Sequence, residues 1–132
     1  MRQQIPVVTL LNAKATTGVS VAQNVEGFAH VVFSLATDGG GTADLTVKFQ
    51  GAVDNTAPDF SAAQTAGNMW DYIEVVDLQN GNPIDGDTGI TVSGADDYRL
   101  LEMNTNHLKW VSVRVTARAA GSVTVKAKLA EE

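Results

Sequence analysis

Two histidines are the only imidazole side chains available for acid–base or metal chemistry, and they lie in different surroundings. His30 falls inside the apolar run 28–35, and His107 lies in the polar turn 104–107. A hydrolytic triad needs a histidine beside a nucleophile and an orienting acid, and no motif in the sequence brings these groups together. The chain also lacks cysteine, which removes thiolate nucleophiles, thiolate zinc sites and disulfides. We therefore predict a non-enzymatic protein without catalytic residues.

Acidic side chains cluster in two turns, at 85–89 and at 96–97, and offer the hard oxygen ligands that calcium prefers. The first turn, with Asp85 and Asp87, lacks the third acid and the terminal Glu of an EF-hand loop. Asp and Gly also recur in turns for conformational reasons alone. We predict no metal and no cofactor, with a calcium ion at these turns as the alternative.

An aromatic residue, Trp110, stands next to the valine-rich segment 111–118, and arginines follow it. If the valines face a core, strand parity sends Trp110 to the opposite face, together with Leu108, Arg114 and Arg118. A Trp beside Arg on the polar face of a strand is the composition of an interface hot spot. These four residues are our first candidates for a contact with a partner; burial of Trp110 under a bulge or a second layer is the alternative.

A second aromatic pair, Trp70 and Tyr72, is separated by one residue and so shares a strand face. Such a pair fits a subunit contact, and it also fits a sugar-binding platform, in which aromatic rings stack on the flat faces of pyranoses. Both residues join the list of interface candidates.

The elements that must position these side chains are strands, because apolar residues recur at every second position. Three segments alternate cleanly between apolar and polar residues, and their apolar rows are Leu45/Val47/Phe49, Val111/Val113/Val115/Ala117 and Val123/Val125/Ala127/Leu129. Further strands are predicted at 5–11, 18–22, 28–36, 70–78, 89–93 and 98–104. The stretch 53–69 lacks alternation and is predicted to be a long surface loop with one helical turn over 60–66.

Length and composition agree with one β domain spanning residues 1–132. The chain is 44% hydrophobic and 18% charged, with 12 glycines that fall mostly in turn-like segments. About eight or nine short antiparallel strands without a long helix predict an all-β fold, either a β-sandwich or a jelly roll. Residues 1–15 are an alternative extended arm, able to add a strand to a neighbouring subunit.

Charge is distributed unevenly along the chain. Residues 38–97 carry eleven acids and one base, a net of −10, whereas residues 99–132 carry six bases and three acids, a net of +3. If the acidic loops gather at one end and the basic strands share one face, two copies could dock head to tail through these regions. The alternative is that scattered surface charge only keeps the protein soluble. The overall charge of −6 argues against a nucleic-acid partner, and no apolar run approaches the ~20 residues that span a bilayer.

Several segments resemble small virion structural proteins of tailed bacteriophages, of the capsid decoration (cement) type. The similarity lies in the pattern of strands and turns over most of 28–128. The segments that carry it are Lys48-Phe49-Gln50-Gly51, Pro58-Asp59-Phe60-Ser61-Ala62-Ala63-Gln64, Trp70-Asp71-Tyr72-Ile73, Asp77-Leu78-Gln79-Asn80-Gly81, Ile84-Asp85-Gly86-Asp87-Thr88-Gly89 and Asn104-Thr105-Asn106-His107-Leu108-Lys109-Trp110. The first 25 residues carry none of it.

The resemblance implies a non-enzymatic protein that binds the outer surface of the major capsid lattice and stabilises the head. It implies self-association, expected as a homotrimer, and a location on the outside of the virion. The alternatives are a carbohydrate-binding or host-adhesion module, motivated by the Trp70/Tyr72 pair, and another virion part such as a head-completion or tail-tube subunit.

Overall fold

The structure is a computed structural model that describes residues 7–130. This part of the chain forms twelve strands and no helix. It therefore contains no helix that is long and apolar enough to cross a membrane. The strands are β1 Val8–Lys14, β2 Gly18–Val19, β3 Gln23–Asn24, β4 His30–Asp38, β5 Asp44–Ala52, β6 Asp71–Tyr72, β7 Val75–Asp77, β8 Pro83–Ile84, β9 Ile90–Ser93, β10 Tyr98–Asn104, β11 Trp110–Ala120 and β12 Ser122–Ala130.

The strands form two antiparallel sheets that pack face to face, which confirms the predicted β-sandwich. The first sheet has the order β1-β12-β4-β10-β7-β8. The second sheet has the order β2-β11-β5-β6, and β3 and β9 add to it on β11 and β5. Because each sheet buries one face, inward and outward side chains alternate along the long strands.

The core between the sheets consists of the apolar rows that alternation predicts. Phe33 of β4 and Phe49 of β5 meet across the two sheets with ring centroids 4.7 Å apart. The predicted rows on β5, β11 and β12 are buried, except at Ala117. A register shift between Val115 and Ala117 breaks the alternation there, so Ala117 is exposed and that part of the prediction is wrong.

Twelve strands exceed the eight or nine expected because several pairings are only two residues long and produce no periodic signal. The predicted strand 70–78 is in fact two strands, β6 in the second sheet and β7 in the first. The loop 53–69 is present, but the helical turn expected over 60–66 is replaced by a tight turn closed by reciprocal backbone bonds between Thr65 and Asn68.

Residues 8–14 of the arm predicted over 1–15 pair as β1 with β12 of the same chain, whereas 1–6 lie outside the described residues. The C-terminal bases do not share one face. Arg114 belongs to β11 in the second sheet, and Lys126 and Lys128 belong to β12 in the first. The condition set for head-to-tail docking, basic strands that share one face, is therefore not met.

Candidate functional site

The outer face of the second sheet carries an aromatic cluster, which consists of Phe60, Trp70, Tyr72 and Trp110. Phe60 and Trp70 are buried with Ala52, and the other two aromatic residues pack against them while half-buried. The rings of Trp70 and Tyr72 meet edge to face with centroids 5.0 Å apart. The sequence candidates Trp70, Tyr72 and Trp110 thus come together at one place.

Strand parity explains why Trp110 lies on this face. Val111 and Val113 are fully buried between the sheets, so Trp110 projects from the opposite side of β11, as predicted. Its indole is half-buried there, because Asp54 of the loop 53–69 lies against it. The indole Nε1 donates to the carbonyl oxygen of Asp54 at 3.0 Å.

Trp70 is held by the same loop and is only 3% exposed. Its Nε1 donates to the Ala62 carbonyl at 3.1 Å, and its own carbonyl accepts from Gln64 Nε2 at 2.6 Å. A sugar platform needs an open ring face, and this ring has none. Trp70 therefore cannot stack on a sugar in this structure.

Leu108 and Arg118, the outer members of the predicted set, lie apart from the aromatic cluster. Leu108 precedes β11 and packs against the core between the sheets. The register shift in β11 pairs Arg118 with Leu45, a core residue, whereas Arg114 pairs with Lys48 on the outer face. A shift of one residue exchanges the two faces of a strand. Counting every second residue from Val111 therefore predicts the wrong face for residues beyond the shift, such as Arg118.

Cations surround the two half-exposed aromatic rings. Lys48 Nζ lies 4.9 Å from the centroid of Tyr72, and Lys109 Nζ lies 5.8 Å from that of Trp110. Arg114 Nη1 donates to the Phe60 carbonyl at 3.4 Å. We call Lys48, Tyr72, Lys109 and Trp110 the aromatic surface. Because Lys109 Nζ also lies 3.1 Å from Glu26 Oε2, its charge is offset, and the aromatic surface combines ring faces with the positive charge of Lys48. That composition suits contact with another protein.

Sequence reasoning missed a polar layer beneath the loop. Gln50 is fully buried, and its Nε2 donates to the Phe60 carbonyl at 2.9 Å, while its Oε1 is unpartnered among the described residues. Ser20 and Ser112 are also buried, with their hydroxyls 3.1 Å apart. Alternation places Gln50 and Ser112 on the outer face, but nothing in the sequence shows that the loop covers Gln50 or that Ser20 lies against Ser112.

The acidic turns hold the backbone through their carboxylates. Asp96 accepts the N–H groups of Gly39 and Gly41 at 2.8 and 2.9 Å, and Asp97 pairs with Arg99 Nε at 2.6 Å. Asp85 accepts the N–H of Asp87 at 2.8 Å. Residues 7–130 contain no group of three or more acidic or imidazole side chains placed to hold a metal ion.

His30 lies in β4, where its Nδ1 is buried, makes no hydrogen bond among the described residues and lies 3.6 Å from Glu102 Oε1 of the neighbouring strand. The other histidine, His107, has a positive φ of 73° and forms part of the turn before β11.

Asp59 stabilises the loop through Ser61, and we expect this to depend on pH. The hydroxyl and N–H of Ser61 donate to the carboxylate at 2.5 and 3.0 Å and hold the pKa of Asp59 below its ordinary 3.8. The stabilisation is therefore full above that value and is lost as the pH falls through the lower folded-state pKa.

Tryptophan fluorescence should report this acid loosening, because Trp70 and Trp110 both bond to the loop. The variant Asp59→Asn has no carboxyl group to titrate at this position. Its tryptophan fluorescence should therefore lack the part of the change on acidification that protonation of Asp59 causes. An identical acid titration for the two proteins would show that Asp59 does not control the loop.

A second apolar area lies on the outer face of the first sheet, and sequence reasoning missed it. Leu78, Tyr98 and Leu100 are 45%, 72% and 56% exposed and border an open groove of about 550 Å³. The adjacent leucines Leu100 and Leu101 could have indicated it, because consecutive residues of a strand face opposite sides and one of two adjacent leucines must face outward. Leu101 is the buried one. We call Leu78, Tyr98 and Leu100 the apolar face.

Comparison with known proteins extends the description of the fold. No family model matches the chain, and no curated protein sequence matches it. Among solved structures it is similar to the SPBc2 prophage-derived protein YomS, with a TM-score of 0.66, 15% identity, and coverage of 96% of this chain and 92% of that one. It is also similar to the PBSX exported protein XepA, with a TM-score of 0.68, 14% identity, and coverage of 96% of this chain.

The chain spans 37% of the length of XepA, so it corresponds to one part of that protein. Both structural neighbours are prophage-derived phage proteins. At these levels of identity the likeness establishes the fold, a β-sandwich that also occurs in phage proteins.

Proposed function

We propose that the chain is a non-enzymatic structural protein of a bacteriophage virion, of the capsid decoration type, which binds the outer face of the major capsid lattice. The observation that carries the proposal is the aromatic surface, where Tyr72 and Trp110 stand half-exposed beside Lys48 and Lys109 on a rigid double sheet. The phage origin of both structural neighbours and the resemblance of the sequence to decoration proteins support it.

A decoration protein works by surface contact, and the aromatic surface has the chemistry for one. Tyr and Trp rings contribute large contact area at low conformational cost, and the ammonium group of Lys48 beside Tyr72 favours an acidic partner surface. The loop 53–69 holds the rings in place through the Trp70 and Trp110 indole bonds, so little freedom is lost on binding.

Repetition over the lattice makes modest single contacts sufficient. A capsid presents many identical copies of its major protein, and a self-associating decoration protein engages several of them at once. The second contact is then intramolecular, which raises the overall avidity without new interactions. This mode of action requires neither a catalytic centre nor a cofactor.

The test is the location of the protein on particles of the phage whose genome encodes it. We expect mass spectrometry of purified particles to detect the chain, and immunogold labelling to place it on the outer surface of the head. Labelling confined to the tail or the neck would overturn the decoration role in favour of a tail-tube or head-completion subunit. Absence from particles would overturn the virion role.

Rebinding to particles stripped of the protein tests the surface itself. Lys48→Glu reverses the charge over Tyr72 and should weaken binding by about 10-fold or more, because it places an acid against an acidic partner surface. Lys14→Glu, which makes the same charge change in β1 of the first sheet, is the matched control and should bind normally. Equal binding of both variants would exclude the aromatic surface as the contact.

A further inference from the structure

Two cations lie opposite each other on the outer face of the second sheet. Lys48 of β5 and Arg114 of β11 are direct partners in the register of these two strands. The residues on either side of each of them are buried, three of the four in the core and all with side chains that face away from these cations, so both cations project outward. Side chains at directly opposed positions have Cβ atoms about 4.5–5.5 Å apart, so the two cations are close neighbours.

This pairing is unfavourable in the free protein. Like charges that stand directly opposite each other destabilise a pair of strands, and no other two cations are opposed in the strand registers of residues 7–130. None of the ion pairs among these residues includes Lys48 or Arg114, whereas the nearby Lys109 is paired with Glu26. The repulsion between the two opposed cations is therefore not offset by a carboxylate of the described part of the chain.

The charged ends of both side chains lie beside the same row of the sheet. Lys48 Nζ is 4.9 Å from the ring centroid of Tyr72, which is the strand partner of Gln50. Arg114 Nη1 donates to the Phe60 carbonyl at 3.4 Å, and Gln50 Nε2 donates to the same oxygen at 2.9 Å. Both cationic groups thus lie at the margin of the loop 53–69, next to the aromatic surface.

Both groups have donors to spare. A guanidinium carries five N–H donors in a planar fork, and among the described residues that of Arg114 donates only in the long bond to Phe60. The Lys48 ammonium carries three donors and faces the Tyr72 ring. Both side chains are half-buried, so a group on another molecule can reach them. A carboxylate suits these donors, because it accepts several hydrogen bonds and matches the fork of an arginine.

We propose that Lys48 and Arg114 form a binding site for a single carboxylate, which an Asp or Glu side chain of the partner protein supplies. The carboxylate accepts hydrogen bonds from the guanidinium and from the ammonium, and its charge removes the repulsion between them. The inference rests on the proposed function, because it names the chemical group that the partner presents beside the aromatic surface.

The small extent of the positive area favours one carboxylate over a polyanion. The adjoining row of the sheet holds Thr46 and Thr91, whose hydroxyls are 3.2 Å apart, instead of further bases. The whole chain has a net charge of −6. A nucleic acid needs a longer basic stripe to neutralise successive phosphates, whereas one acidic side chain needs only the two opposed cations.

Titration of the isolated chain with glutarate, a small dicarboxylate, tests the site without the partner. NMR spectra of the isotope-labelled chain should show saturable shifts at the Arg114 Nε–H and the Tyr72 amide, beyond those that sodium chloride causes at the same ionic strength. Arg114→Gln and Lys48→Gln should each weaken the binding of glutarate by about 10-fold or more, because each removes charge-assisted hydrogen bonds.

Lys126→Gln is the matched control, because it removes one positive charge from β12 of the first sheet. This variant should bind glutarate as the wild type does. Should either variant at the site lose its fold, which the amide spectrum reports, Arg114→Lys provides the comparison. It keeps the charge and loses the bidentate fork, so its affinity for glutarate should fall between those of the wild type and a site without the guanidinium.

Binding to stripped particles tests whether the partner supplies the carboxylate. Arg114→Gln should bind about 10-fold or more weakly than the wild type, and Lys126→Gln should bind normally. The proposal would be overturned by a wild-type chain that responds to glutarate only as it does to sodium chloride. It would equally be overturned by an Arg114→Gln variant that binds glutarate or particles as tightly as the wild type. A wild-type chain that binds glutarate at this site and never binds particles would overturn the proposed function and leave the carboxylate site intact.

Discussion

Replacing Trp70 with alanine is expected to lower the free energy of unfolding by about 3–5 kcal/mol, the usual cost of removing a buried Trp or Phe side chain. Trp70 is 3% exposed and joins Phe60, Ala52 and Tyr72 in the cluster that holds the loop 53–69 on the second sheet. Its loss also removes the donor to Ala62, so the loop should detach before the sandwich unfolds.

Urea denaturation followed by circular dichroism measures the loss of stability, and the fluorescence of Trp110 reports the loop. In Trp70→Ala the Trp110 indole should become more solvated in the native state, because its Nε1 bonds to Asp54 of the same loop. Trp70→Phe keeps a ring in the cluster and should cost clearly less. If the alanine variant is as stable as the wild type, then Trp70 does not hold the loop in place.

This experiment also separates the two uses of aromatic residues that the sequence left open. A residue that stacks on a sugar can be removed with little effect on stability, since its ring is exposed before binding. A large loss of stability in Trp70→Ala, together with no glycan recognition by the wild type, would assign the ring to structure. Recognition of a glycan by the wild type would instead support the carbohydrate-binding alternative.

Replacing Phe33 with alanine is the second change with a large expected effect, again about 3–5 kcal/mol of unfolding free energy. Phe33 is fully buried in β4, and its ring lies 4.7 Å from that of Phe49 in the opposite sheet. Truncation leaves a cavity between the sheets and also removes the aromatic pair, which contributes about 0.5–1.5 kcal/mol beyond its buried area.

Chemical denaturation with a two-state analysis measures this effect. Phe33→Leu retains most of the side-chain volume and should lose much less stability than Phe33→Ala. A double-mutant cycle with Phe49→Leu then isolates the energy of the ring pair, since the two residues are in contact. Equal stabilities of the alanine and leucine variants would contradict tight packing at this position.

The amino-acid sequence alone was sufficient to predict the class of fold and most of the core. The alternation in β5, β11 and β12 identified their buried rows because a strand repeats every second residue, and the side that carries valines must be removed from water. The same rule correctly sent Trp110 to the outer face of β11. These are local properties, and each can be counted along a single strand.

Tertiary structure decided what covers each face. The burial of Trp70 and Gln50 depends on a loop that returns over the second sheet, and the place of Arg118 depends on a register shift in β11. Likewise the sequence contained Leu78, Tyr98 and Leu100 without showing that they would meet on neighbouring strands and stay uncovered. Alternation determines which side of a strand a residue occupies; only the packing of distant segments determines whether that side is exposed to water.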